Sequence, residues 1–146
     1  MSKYLHTMIR VSDIDATKDF FSLIGIEEIS RRESEAGRYT IVFLAAPGQE
    51  GVAEIELTYN WPPEDGSTPE TYAAGRNFGH IAIAVEDIYS TCQRLADAGV
   101  TINRPPRDGR MAFVKTPDGI SIELLNAGSA LEEQEPWASM ENSGSW

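Results

Sequence analysis

A single cysteine, Cys92, excludes an internal disulfide and with it the stapled scaffolds of small secreted proteins. It falls inside a helical pattern, where a small buried residue is expected and a nucleophile is not. No apolar run approaches the roughly 18 residues of a membrane span, and Met1-Ser2-Lys3-Tyr4-Leu5 lacks the apolar stretch of a signal peptide, so the sequence reads as soluble and cytoplasmic. Basic residues are scarce: 12 Lys and Arg stand against 23 Asp and Glu, a formal net charge of -11. Nucleic acid and anionic membranes would meet net repulsion, and an anionic small ligand would have to be held by local arginines. There are only two histidines. Against these absences, 41% hydrophobic and 24% charged residues in 146 are ordinary for a folded protein with a real core.

The chain repeats itself. His6-Thr-Met-Ile-Arg-Val11-Ser-Asp13-Ile14 recurs as His80-Ile-Ala-Ile-Ala-Val85-Glu-Asp87-Ile88, the pattern H-x4-V-x-D-I twice. A helical stretch follows each copy. Asp13 or Asp15 is placed to cap Ala16 to Ile24 before Gly25, and Asp87 to cap Ile88 to Ala98 before Gly99, with Ile88, Cys92, Leu95 and Ala96 at helical spacing. Val42-Phe43-Leu44-Ala45-Ala46-Pro47-Gly48 resembles Ala112-Phe113-Val114-Lys115-Thr116-Pro117-Asp118-Gly119, with the Pro and Gly residues as turns. Each half then closes on the same triplet, Ile55-Glu56-Leu57 and Ile122-Glu123-Leu124, so each half predicts a strand, a helix, and two or three further strands. Residues 61–77 hold Pro62, Pro63, Gly66, Pro69 and Gly75 without a sustained period and predict a long connection, of the kind that often forms a lid or binding loop. The tail after Ala127 carries Glu132, Glu133, Glu135 and Glu141 and no base; a mobile solubilising extension is expected, with Trp137 and Trp146 leaving docking open.

Strand alternation puts residues i and i+2 on one face. His6, Met8 and Arg10 then share a face, as do His80, Ala82 and Ala84, and the small alanines leave room beside His80. Glu54, Glu56, Thr58 and Asn60 oppose Ile55, Leu57 and Tyr59, and Ser121 and Glu123 oppose Ile120, Ile122 and Leu124. With the apolar sides against the helices, the polar sides converge on a cavity holding one imidazole and one carboxylate from each half. His6, Glu56, His80 and Glu123 form a nitrogen and oxygen set suited to a divalent first-row metal such as Ni, Co, Zn or Fe, with positions left for water or substrate.

At these residues the sequence resembles glyoxalase I (lactoylglutathione lyase) of the vicinal oxygen chelate superfamily. The likeness covers residues 4 to 127. It is carried by Leu5 through Val11, by Phe78 through Val85, by Pro117-Asp118-Gly119 through Glu123, and most specifically by Ile55-Glu56-Leu57-Thr58-Tyr59-Asn60-Trp61. The resemblance implies an α+β fold of two paired βαβββ modules, about 4–60 and 78–127, whose mixed sheets curve around a metal cavity, with an acidic tail at 128–146. It implies a homodimer with metal sites at the subunit interface, His6 and Glu56 of one chain joining His80 and Glu123 of the other around one divalent ion, Ni2+ ahead of Co2+ or Zn2+. Glutathione contacts would fall at Arg10, Asn60 and Arg76, with Arg104 where the family often has a lysine; the stretch from Arg107 to Met111 is shorter than the family's usual glycine-rich loop.

The implied reaction isomerises the hemithioacetal of glutathione and methylglyoxal to S-D-lactoylglutathione through an enediolate that the metal stabilises, which detoxifies methylglyoxal. Glu123 is the expected base, and Glu56 serves the opposite stereoface or stays a ligand. Two alternatives keep the fold: another metal-dependent enzyme of the superfamily, an epimerase or a dioxygenase, or a metal-free ligand-sequestering resistance protein, against which the complete His and Glu set argues.

Overall fold

β1 (His6–Arg10) lies parallel to β4 (Glu54–Asn60), and two parallel strands must be joined by a crossover, which begins with α1 (Ile14–Ser22). The computed structural model describes residues 1–73 and 75–146. Asp13 caps α1 in an extended conformation, its carboxylate accepting from the Ala16 N–H at 2.9 Å, so the helix starts two residues before the predicted Ala16. It ends at Ser22, with Gly25 at φ 85° turning the chain out of the helix. β2 (Glu27–Ser34) and β3 (Tyr39–Ala45) complete a sheet of order β1-β4-β3-β2. Phe20 and Phe21 of α1 are buried with Ile9, Val42, Leu44, Ile55 and Leu57, the inward positions that alternation requires.

β5 (His80–Val85) lies parallel to β7 (Ser121–Asn126), with β6 (Met111–Lys115) antiparallel on its far side, in the order β5-β7-β6. Asp87 caps α2 (Ile88–Asp97) by accepting from the Tyr89 and Ser90 N–H groups at 2.9 and 3.0 Å. The Asn126 side chain accepts from Ile88 N–H at 3.0 Å and ties the helix start to the end of β7. The buried stripe of α2 is Ile88, Tyr89, Thr91, Cys92 and Leu95; Ala96, expected in it, is exposed. Pro117-Asp118-Gly119 forms the β6–β7 turn, with Gly119 at φ 86°.

Two expectations need correction. The second module has no third strand after its helix: the counterpart of β2 shrinks to an isolated bridge between Arg104 and Phe113. Pro105 and Pro106 follow at once and have no N–H to extend the ladder. The tail is not a mobile extension. Leu131 N–H donates to Gly109 O at 3.0 Å, Tyr89 Oη to Glu132 O at 2.9 Å, Arg107 Nη1 to Met140 O at 2.9 Å, and Asn103 Nδ2 to Ser143 O at 2.9 Å. Trp137 is 4% exposed. Those hydrogen bonds and one buried indole offset the entropy of ordering a polar segment.

The chain divides into two compact units, Met1–Ala73 and the stretch running on to Trp146, with the boundary inside the predicted connection. Ala74, in that connection, lies outside the described residues. Among the described residues no helix is long and apolar enough to cross a membrane.

Candidate functional site: two matching His–Glu pairs

Parallel pairing sets the first pair. His6 stands opposite Glu54 and Met8 opposite Glu56, so His6 and Glu56 are diagonal neighbours on one face, with Nε2 and Oε2 2.9 Å apart. The second unit repeats this register: His80 stands opposite Ser121, Ala82 opposite Glu123, and Nε2 and Oε2 are 3.0 Å apart. In both units the imidazole is the more exposed partner, at 37% and 45%, over a carboxylate exposed by 14% and 16%.

A third residue completes each pair. Phe43 of β3 is the register partner of Glu56, and Phe113 of β6 that of Glu123. Their rings meet the His6 and His80 imidazoles edge-on, at 5.5 Å and 80° and at 5.4 Å and 81°. These contacts hold each ring in place and cover one side of each pair with hydrocarbon. Sequence reasoning assigned the phenylalanines no role, although they occupy matching places in the Val42-Phe43-Leu44 and Ala112-Phe113-Val114 segments.

About 3 Å is also the separation of two ligand atoms bound side by side to one divalent ion at about 2.1 Å each, so each pair fits as half of a nitrogen and oxygen coordination set. Among the described residues no three His, Cys, Asp or Glu side chains cluster to hold a metal, and each unit contributes two ligand types and no more.

The remaining predicted residues divide by environment. Asn60, at the exposed end of β4, lines a cavity of about 300 Å³ in the first unit, together with Val11, Tyr59, Trp61, Pro63 and Tyr72. Part of the predicted connection thus walls a groove at the far end of β4, which neither His6 nor Glu56 lines. Trp61 is fixed there: Nε1 donates to Thr40 Oγ1 at 2.9 Å, and the Arg38 guanidinium lies 5.7 Å from the ring while donating to Pro62 O at 2.6 Å and to Glu64 at 2.6 Å. Arg10 and Arg76 are exposed. Arg104 is engaged within its own unit, donating to Met111 O and, at 3.2 Å, to Asp108. Burial pushes the Asp108 carboxyl up, but the Arg110 and Met111 N–H groups and the Arg104 guanidinium outweigh this and hold it below the ordinary range. Burial pushes the Cys92 thiol up to about 12, so it is no nucleophile.

Two α+β units that place a histidine and a glutamate at the same register positions, each backed by phenylalanine, define a duplicated protein with a matching His–Glu pair in each half. The chain belongs to the Glyoxalase/Bleomycin resistance protein/Dioxygenase superfamily, whose family model matches residues 3–124. It is 38% identical over 131 residues to a probable lactoylglutathione lyase of Synechocystis, covering 86% of this chain and 95% of that protein. It is 40% identical over 129 residues to a probable lactoylglutathione lyase of Vibrio cholerae, covering 84% and 89%. Among solved structures it resembles the trypanothione-dependent glyoxalase I of Leishmania major, with a TM-score of 0.76, 35% identity, and 86% and 87% of the two chains covered.

Proposed function

We propose that this chain is a metal-dependent lactoylglutathione lyase that isomerises the hemithioacetal of glutathione and methylglyoxal to S-D-lactoylglutathione, and so detoxifies methylglyoxal in the cytoplasm. The observation that carries the reading is the register-matched His–Glu pair in each unit, 2.9 and 3.0 Å, on a chain 38% identical to a probable lactoylglutathione lyase. As the resemblance to glyoxalase I implies, His6 and Glu56 of one chain would join His80 and Glu123 of a second copy in a homodimer. Ni2+ suits this set ahead of Co2+ or Zn2+, and when bound it supplies Lewis acidity that lowers the cost of negative charge on the substrate oxygens.

The proton must move between adjacent carbons, which needs one base able to take it and return it next door. Glu123 takes the proton from C1 and returns it to C2; Glu56 serves the opposite face or remains a ligand. Partial burial, with Glu123 16% exposed, keeps bulk water from competing for that proton. Glutathione carries two carboxylates, and a chain of net charge -11 needs fixed cations to hold them. Arg10 and Arg76 supply such charges, Asn60 orients the peptide from the groove wall, and Arg104 contributes the N–H groups left after Met111 and Asp108.

The test is formation of S-lactoylglutathione by metal-stripped protein reloaded separately with nickel, cobalt and zinc, in the wild type and in Glu123→Gln. Nickel or cobalt should restore turnover, and Glu123→Gln should fold normally while losing at least about 100-fold in kcat. A folded Glu123→Gln variant with unchanged kcat would remove its role as base. Stoichiometric metal binding without turnover would remove the reaction.

A further inference from the structure

The groove at the end of β4 is lined by Tyr59, Asn60 and Trp61 from the strand and its exit, and by Glu70 and Tyr72 from the connection, around about 300 Å³. Among the described residues no lysine or arginine lines it, so its one full charge is the Glu70 carboxylate. The other acids of the connection are engaged, Glu64 with Arg38 at 2.6 Å and Asp65 with the Ser67 N–H at 2.9 Å. Glu70 has neither an ion pair nor a hydrogen bond among the described residues, and the Asn60 side chain has no hydrogen bond there either. A carboxylate without a partner beside the rings of Tyr59, Trp61 and Tyr72 suits an ammonium group. The carboxylate accepts the ammonium N–H bonds, and the ring faces attract the same charge.

We propose that Glu70 is a specificity-determining residue that receives the primary ammonium group of the thiol substrate, the γ-glutamyl nitrogen of glutathione, with Asn60 orienting the same end of the peptide. The inference rests on reading Glu56 and Asn60 as parts of one substrate site. Those two residues share a face of β4 four positions apart, about 13 Å along a strand. From the reacting carbon through the sulfur to the γ-glutamyl nitrogen, an extended glutathione hemithioacetal covers about 11 Å. A hydrogen bond of about 2.9 Å closes the remainder. Arginines read the carboxylates of the thiol and are blind to its amine, whereas a carboxylate in the groove makes the free amine count.

The test compares full-length, nickel-loaded wild type and Glu70→Gln on methylglyoxal hemithioacetals of glutathione and of N-acetylglutathione, whose γ-glutamyl nitrogen is acetylated and uncharged. Wild type should prefer the free amine. Glu70→Gln should lower the glutathione-to-N-acetylglutathione ratio of kcat/KM by roughly 3- to 10-fold, through KM and with kcat kept. Calorimetry of S-methylglutathione and its N-acetyl derivative on the metal-free proteins reads the same preference without turnover, and there Glu70→Gln should weaken only the free amine. Equal ratios in wild type and folded Glu70→Gln overturn the inference. If the wild type turns over neither thiol, the proposed reaction fails separately; equal S-methylglutathione affinity in wild type and Glu70→Gln, or no binding by either, then overturns the role of Glu70 as well.

Discussion

Replacing Gly109 with alanine tests whether the tail is held as the contacts require. Gly109 sits at φ 64°, in the left-handed region, where a side chain costs about 1–2 kcal/mol. A Cβ there would lie 2.2 Å from the Leu131 carbonyl oxygen, and 2.8 and 2.9 Å from its carbon and nitrogen. These are backbone atoms, so no side-chain rotation relieves the overlap; the chain around 131 must move. Moving it breaks the hydrogen bond from Leu131 N–H to Gly109 O and displaces Glu132 O from Tyr89 Oη, about 1 kcal/mol each. The sum is about 3–4 kcal/mol. Downstream anchors at Trp137, Met140 and Ser143 remain, so the segment should loosen around 128–133 without being released. Urea unfolding should show that loss, and a glutamate-specific protease should gain a cleavage at Glu132 or Glu133 under native conditions. A variant within about 1 kcal/mol of wild type that resists the protease would show that the tail is not packed on Gly109 in solution.

The Cys92 thiol, fully buried and pushed up to about 12, should carry thiolate in only about one molecule in 10⁴ at pH 8, so iodoacetamide should label it only when denaturant is added. Rapid labelling of the native protein would contradict the packing of α2. Asp108, held below its ordinary range in the fold, contributes stability that is present above the unfolded value near 3.8 and is lost as pH falls through the folded one. With its side chain 45% exposed that contribution should be under about 1 kcal/mol. Asp108→Asn should therefore be slightly less stable than wild type at pH 6, with the difference closing as both proteins are titrated toward pH 2; a gap of constant size would mean that the charged carboxylate, held by the Arg110 and Met111 N–H groups and the Arg104 guanidinium, is not its source.

The sequence by itself determined, through the H-x4-V-x-D-I repeat, that two similar units exist and that Asp87 and either Asp13 or Asp15 start their helices, and, through strand alternation around the repeated Ile-Glu-Leu triplet, which strand faces carry His6, Glu56, His80 and Glu123. Those features follow from nearest-neighbour periodicity and capping chemistry, which act over a few residues. The tertiary structure decided what distant residues do to one another. Strand pairing brought His6 to 2.9 Å from Glu56 and His80 to 3.0 Å from Glu123, because the parallel registers make each pair diagonal, and no spacing along the chain encodes a register. Pairing also put Phe43 and Phe113 against the imidazoles, contacts between strands that alternation within one strand does not predict. The missing third strand of the second unit was visible only in retrospect, as Pro105 and Pro106 remove the N–H groups that a ladder needs. The tail read as solvated because it is acidic and aperiodic; it is docked because carbonyls at 132, 140 and 143 meet donors from Tyr89, Arg107 and Asn103, and because Trp137 finds a buried site. Composition reports how polar a segment is, whereas only the folded surface it meets determines whether those polar groups are better satisfied there than in water.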